Sequence, residues 1–204
     1  DLRNLMSDSV YVKYNRAGLG IFDQVTATYS FNTQREERVN QSGNGNPAAS
    51  ITHEFERMYV HGFQVKGVAR LGDRHELLVG AELYPERIKA PSFAFNPVSG
   101  ATTVRRGRVP DGATYRSEGI YVQDAFDIVP GVLKAVGDLR YSGAHYRSRA
   151  ADSPLVNGKA LWPDDSLDTS SVTFRAGVVA TPQPGWSFTA NVSRGFRAPH
   201  ITDL

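Results

Sequence analysis

The chain has 204 residues and no cysteine, which excludes a disulfide framework and a thiolate metal site. Its 23 basic and 21 acidic residues leave a formal charge of +2, too balanced for a nucleic-acid surface. Nineteen glycines, nine tyrosines and ten phenylalanines against two methionines favour strands, turns and aromatic belts over helices, and no apolar run approaches the roughly 20 residues of a membrane helix.

Two-residue alternation predicts the elements. A first strand covers Ser9 to Asn15 and ends at the glycine-bearing link Ala17-Gly18-Leu19-Gly20. A second covers Asp23 to Glu36, with Val25, Ala27, Tyr29 and Phe31 opposite Thr26, Thr28, Ser30 and Asn32; it runs into a polar loop, Asn40 to Pro47. Phe55 to Arg70 and His75 to Lys89 form a long hairpin about the turn Leu71-Gly72-Asp73-Arg74. Ala90 to Thr114 is a loop longer than compact domains tolerate without a purpose. Tyr115 to Asp127 and the return from Leu133 to Tyr141 make the next hairpin, and a third long loop spans Arg149 to Asp168. Ser170 to Thr181, the turn Pro182-Gln183-Pro184-Gly185 and Trp186 to Arg194 complete the series. In the last strand Trp186, Phe188, Ala190 and Val192 alternate with Ser187, Thr189, Asn191 and Ser193.

Short turns follow the first, third, fifth and seventh strands, and long loops follow the second, fourth and sixth. Bacterial outer-membrane barrels have this asymmetry, with short periplasmic turns and long extracellular loops. The expected fold is therefore all-β: an antiparallel transmembrane β-barrel segment whose polar strand face, including Lys134, Asp138 and Arg140, lines the lumen. A soluble antiparallel sandwich also alternates, but its strands average nearer 5 or 6 residues. The aromatics Tyr59, Phe63, Tyr84, Tyr121, Phe126, Tyr141, Phe174, Trp186 and Phe188 are expected near strand ends or on apolar faces, with Trp186 in a periplasmic-side girdle.

The stretch Arg194-Gly195-Phe196-Arg197-Ala198-Pro199, preceded by Ser193 and followed by Asp203-Leu204, resembles a motif of the TonB-dependent outer-membrane receptors. Tyr121-Val122-Gln123-Asp124 and Leu139-Arg140-Tyr141 are similar to that family's "Y-x-Q-D" strand and its return strand. The resemblance implies that residues 1–204 are a partial barrel domain without the plug, about eight strands of a 22-stranded wall. It implies an outer-membrane receptor for energy-dependent import of a scarce ligand, most often a ferric siderophore, otherwise haem, cobalamin or oligosaccharide. The TonB complex would act through an N-terminal region absent here, and the start at Asp1 without a signal peptide reads as truncation. A passive porin is the alternative of another class; it would share the alternation but not the arginine motif.

The family motif, Arg194 to Pro199, is expected to be structural, its guanidinium groups anchoring wall to plug or loop. Arg105, Arg106 and Arg108 make the second loop basic. One reading has them attracting an anionic ferric chelate; the other has them pairing with lipopolysaccharide phosphates or with Asp152, Asp164, Asp165 and Asp168 of the next loop. The five histidines form no metal-binding spacing. Haem-importing relatives use an axial histidine beyond the arginine motif, but position alone does not make His200 that ligand. No phosphate loop, nucleophile elbow or acid/base pair is present, so neither an enzyme nor a cofactor is expected.

Overall fold

The computed structural model describes residues 2–41 and 43–198. Eight long strands follow one another across a single antiparallel sheet: β1 (Leu2–Leu19), β2 (Phe22–Gln41), β3 (Ile51–Leu71), β4 (His75–Lys89), β7 (Thr114–Val129), β8 (Leu133–Ser148), β11 (Asp165–Gln183) and β12 (Trp186–Arg194). The long loops hold four short strands: β5 (Ser92–Phe95), β6 (Thr102–Val104), β9 (Leu155–Val156) and β10 (Lys159–Ala160). β5 adds to the far end of β3, so two of the segments expected as loop extend the sheet instead. The sheet does not close, because β1 and β12 stand at opposite ends of the strand order.

Register converts the alternation into two continuous faces. One cross-strand row reads Tyr14, Ala27, Val65, Ala81, Ile120, Tyr141, Val172. The neighbouring row on the other face reads Asn15, Thr26, Lys66, Gly80, Tyr121, Arg140, Thr173. The apolar face is uncovered: Ile120 is 64% exposed, Leu139 51% and Val192 61%. An uncovered apolar face of this breadth needs a lipid solvent, and the polar face then turns to the lumen. β2 and β3 run for 20 and 21 residues, twice the ~9–11 that cross a bilayer, so their far ends stand clear of it.

The turns need positive φ, which glycine adopts without a Cβ clash: Gly20 sits in the first, two residues after Gly18 at the end of β1, and Gly72, Gly131 and Gly185 sit in the others. Pro85 lies inside a central strand, and the β3–β4 ladder breaks there, between the pairs Val60–Glu86 and Phe63–Leu83. The missing amide donor falls where no ladder bond is asked of it.

The strongest burial is at the long-loop end of the lumen face. Ile88, Ala90, Val109, Ala113 and Tyr146 form a cluster with Met58, Tyr115 and Leu167 packed on it. Met58, Ile88, Tyr115, Tyr146 and Leu167 all have lumen parity, so the loop after β4 folds inward over the wall. Gly112 N–H to Ile88 C=O (3.0 Å), Ile88 N–H to Ala113 C=O (2.9 Å) and Ala90 N–H to Asp111 Oδ1 (2.8 Å) hold it there.

Candidate functional site

The lumen face carries a diagonal polar seam. Arg140 on β8 reaches across β7 to form an ion pair with Glu82 on β4, donates to Ser142 Oγ (2.9 Å), and lies 5.6 Å from the centroid of the Tyr121 ring. Gln64 Nε2 donates to Tyr84 Oη on one side of it. On the other side Arg175 pairs with Asp138 (2.6 Å) and donates to Gln123 Oε1 (3.3 Å). Three glycines give these side chains room. A Cβ on Gly80 would sit 2.4 Å from the Tyr121 ring, one on Gly62 would sit 2.9 Å from the Tyr84 ring, and one on Gly119 would sit 2.6 Å from the Arg140 guanidinium. Tyr84 and Tyr121, expected on an apolar face or near strand ends, thus face the lumen. Apolar residues flank Tyr121 in sequence, but its own parity is that of Gln123 and Gly119.

Above the seam the basic loop is docked by all three of its expected arginines. Arg105 Nη1 donates to Thr52 Oγ1 (2.8 Å), and its amide donates to Ser92 C=O (2.9 Å). Arg106 lies 4.1 Å over the Trp162 ring, joining the second long loop to the third. Arg108 lies 3.3 Å from Glu36 Oε1 and 3.7 Å from Glu56 Oε1, both carboxylates of the lumen wall. Three of the four aspartates expected as partners of these arginines are engaged elsewhere: Asp152 pairs with Arg149 (2.7 Å), Asp164 accepts from the Ala150 amide (2.8 Å), and Asp168 pairs with His145 (2.6 Å).

The arginine motif begins where β12 stops. Arg194 is opposite Phe174 at mid-height of β11, and the chain leaves the sheet at Gly195. Phe196 is partly exposed, Arg197 has an interaction partner, and Ala198 is half-buried. Pro199, His200 and the following Asp203-Leu204 lie outside the described residues. The sequence marks Arg140 as a lumen-facing residue of the return strand but gives no sign of its partner Glu82, which lies 58 positions away. Among the described residues no three histidine, aspartate or glutamate side chains are grouped to hold a metal ion.

A family model described as TonB-dependent receptor-like β-barrel matches residues 4–204. Among solved structures, a copper transporter, OprC, is similar over 98% of this chain at 12% identity, with a TM-score of 0.79, and 33% of its own length is covered. The FrpB iron transporter from Neisseria meningitidis is similar over 98% of the chain at 19% identity (TM-score 0.69, 30% of its length), and the ferric citrate transporter FecA over 92% at 14% identity (TM-score 0.64, 27% of its length). At these identities the likeness is one of fold, and the chain spans about a third or less of each structure. No curated protein matches it.

Proposed function

This chain belongs to the TonB-dependent receptor-like β-barrel family, and from that premise we propose that the protein carrying it is an outer-membrane receptor that imports an anionic ferric siderophore by TonB-coupled transport. The observation that carries the reading is the basic loop folded onto the lumen side of a lipid-facing wall. Its contacts fix Arg105, Arg106 and Arg108 on the lumen side above the polar seam, where all three stay exposed to solvent and to an incoming solute. Positive charge on the lumen side of the long-loop end raises the local concentration of an anionic chelate. Arg108 is neutralised by two glutamates, so in this reading it positions the loop, while Arg105 and Arg106 form no ion pair with a carboxylate among the described residues and present the net charge. The wall performs no chemistry. Its further partners are the TonB complex, acting through parts of the protein beyond this chain, and the lipid and lipopolysaccharide around it.

The deciding measurement is mass-spectrometric identification of the ligand retained by the complete protein after purification from iron-starved cells. A ferric chelate is expected. Haem, cobalamin or an oligosaccharide would keep the receptor and replace the cargo, and a steadily conducting, ligand-free pore would replace the receptor with a passive porin. In the same protein, Arg105→Gln with Arg106→Gln is expected to slow capture of the anionic ligand at low salt by about tenfold and to lose that effect above the Debye-screened range of roughly 0.15 M.

A further inference from the structure

We propose that Arg35, Arg57 and Lys89, with Arg87 beside them, form a binding site on the outward face for the phosphates of the glycolipid that fills the outer leaflet. The inference rests on the membrane-wall reading and adds to it a partner and its residues. β2 pairs with β3 through Arg35 and Arg57, and β3 with β4 through Arg57 and Lys89, so three cations stand directly opposite one another on adjacent strands. Like charges in that position repel and destabilise a sheet unless an anion lies between them.

Three observations point to an anion from outside the chain. The carboxylate that reaches the row is Asp8, 3.6 Å from Arg35, whereas among the described residues Arg57, Arg87 and Lys89 form no ion pair. Glu37 shares this face one row further out, opposite Phe55, so the row keeps a clear positive excess. The other half of the same face is neutralised internally, by Arg116 with Glu118 (3.3 Å) and by His145 with Asp168 and Glu118. Finally, Nε of Arg35 and of Arg57 is shielded from solvent and has no hydrogen-bond partner among the described residues, so each guanidinium has only its Nη groups left to meet an external acceptor.

Height on the wall selects the source of that acceptor. On β3 the outward residues run Val65, Phe63, His61, Tyr59, Arg57, Phe55 toward the long-loop end, so the row follows directly on the Tyr59 ring, with the stacked Phe55, His53 and Phe93 beyond it. Arg57 lies 5.2 Å from the Tyr59 ring centroid, with its stem along the wall and its charge at headgroup level. A phosphate attached to an acylated sugar fits that level, because its chains pack on Phe63 and Leu83 while its charge meets the row.

The test uses the complete protein and three probes: bisphosphorylated lipid A, the same glycolipid fully dephosphorylated, and inorganic phosphate. Lipid A is expected to bind, and Arg57→Gln with Lys89→Gln to weaken it about tenfold or more. The charge-keeping pair Arg57→Lys with Lys89→Arg should retain binding, as should Arg16→Gln at the short-turn end of the same face. Outer-membrane recovery and heat-modifiable mobility check that each variant folds. Equal binding of the dephosphorylated glycolipid, unchanged affinity in the glutamine pair, or displacement by inorganic phosphate at equal affinity would each overturn the site. Cargo import by the same variants speaks to the receptor reading alone, so the two fail separately.

Discussion

At Gly80 the lumen wall has no space for a side chain, because the ring of Tyr121 occupies the place of the Cβ. Gly80→Ala pushes that ring off the strand and toward Arg140, an overpacking cost of about 1–3 kcal/mol. Gly137 lies on the outward face with nothing within 4 Å of its Cβ position, so Gly137→Ala is expected to be neutral or stabilising by up to about 1 kcal/mol, through lost chain entropy in the unfolded state. Urea unfolding of the complete protein in lipid vesicles distinguishes the two, and equal effects would remove the Tyr121 seat as the cause. Arg108 is the second residue whose contacts fix a result. Arg108→Gln leaves Glu36 and Glu56 without their loop partner. Partly exposed pairs are worth about 1 kcal/mol or less, so the wall should stay folded while the loop loosens. Limited trypsin digestion should then cut at Arg105 and Arg106 several times faster than in the parent.

For a single strand, face assignment is the quantity at risk. Val178 is paired with Ala190 and Gly177 with Asn191, which places Ala190 toward lipid and Asn191 toward the lumen. Arg introduced at Ala190 should cost about 2–4 kcal/mol if it sits near the bilayer midplane, and Arg at Asn191 far less. The folded fraction after insertion into vesicles reads the difference, and similar losses at both sites would invert the assignment. Alternation made β4 and β12 legible to the residue, since His75–Lys89 and Trp186–Arg194 are the spans it predicts. It missed the first seven residues of β1, where Leu2 to Asp8 do not alternate and strand geometry is supplied by pairing with β2. It also ended β8 at Tyr141, although the strand continues to Ser148. Ser142, Gly143 and Ala144 carry little strand preference of their own and are held between β7 and β11. The basic loop was legible as charge, but its inward docking was not, because it depends on Met58, Tyr115, Tyr146 and Leu167 being brought to one face by four separate registers. The polar seam was hidden for the same reason: nothing local in the sequence ties Glu82 to Arg140.

Across the whole sheet, the decisive property is that it remains open. β1 has a partner along one edge, and β12 ends opposite Phe174, so Asp165 to Thr173 of β11 extend past it. In water such edges are solvated, but in hydrocarbon each unpaired amide or carbonyl costs several kcal/mol. An 18-residue edge on β1 presents enough of these groups to outweigh what the apolar face gains from lipid. Residues 1–204 produced alone are therefore expected to give no inserted, heat-modifiable species, whereas a protein in which further strands pair with both edges should give one. Urea extraction of membranes followed by electrophoresis with and without boiling makes the comparison. A monomeric 204-residue species that resists extraction and migrates faster unboiled would mean that the sheet closes on itself, and that the lumen of this wall is not shared with other strands.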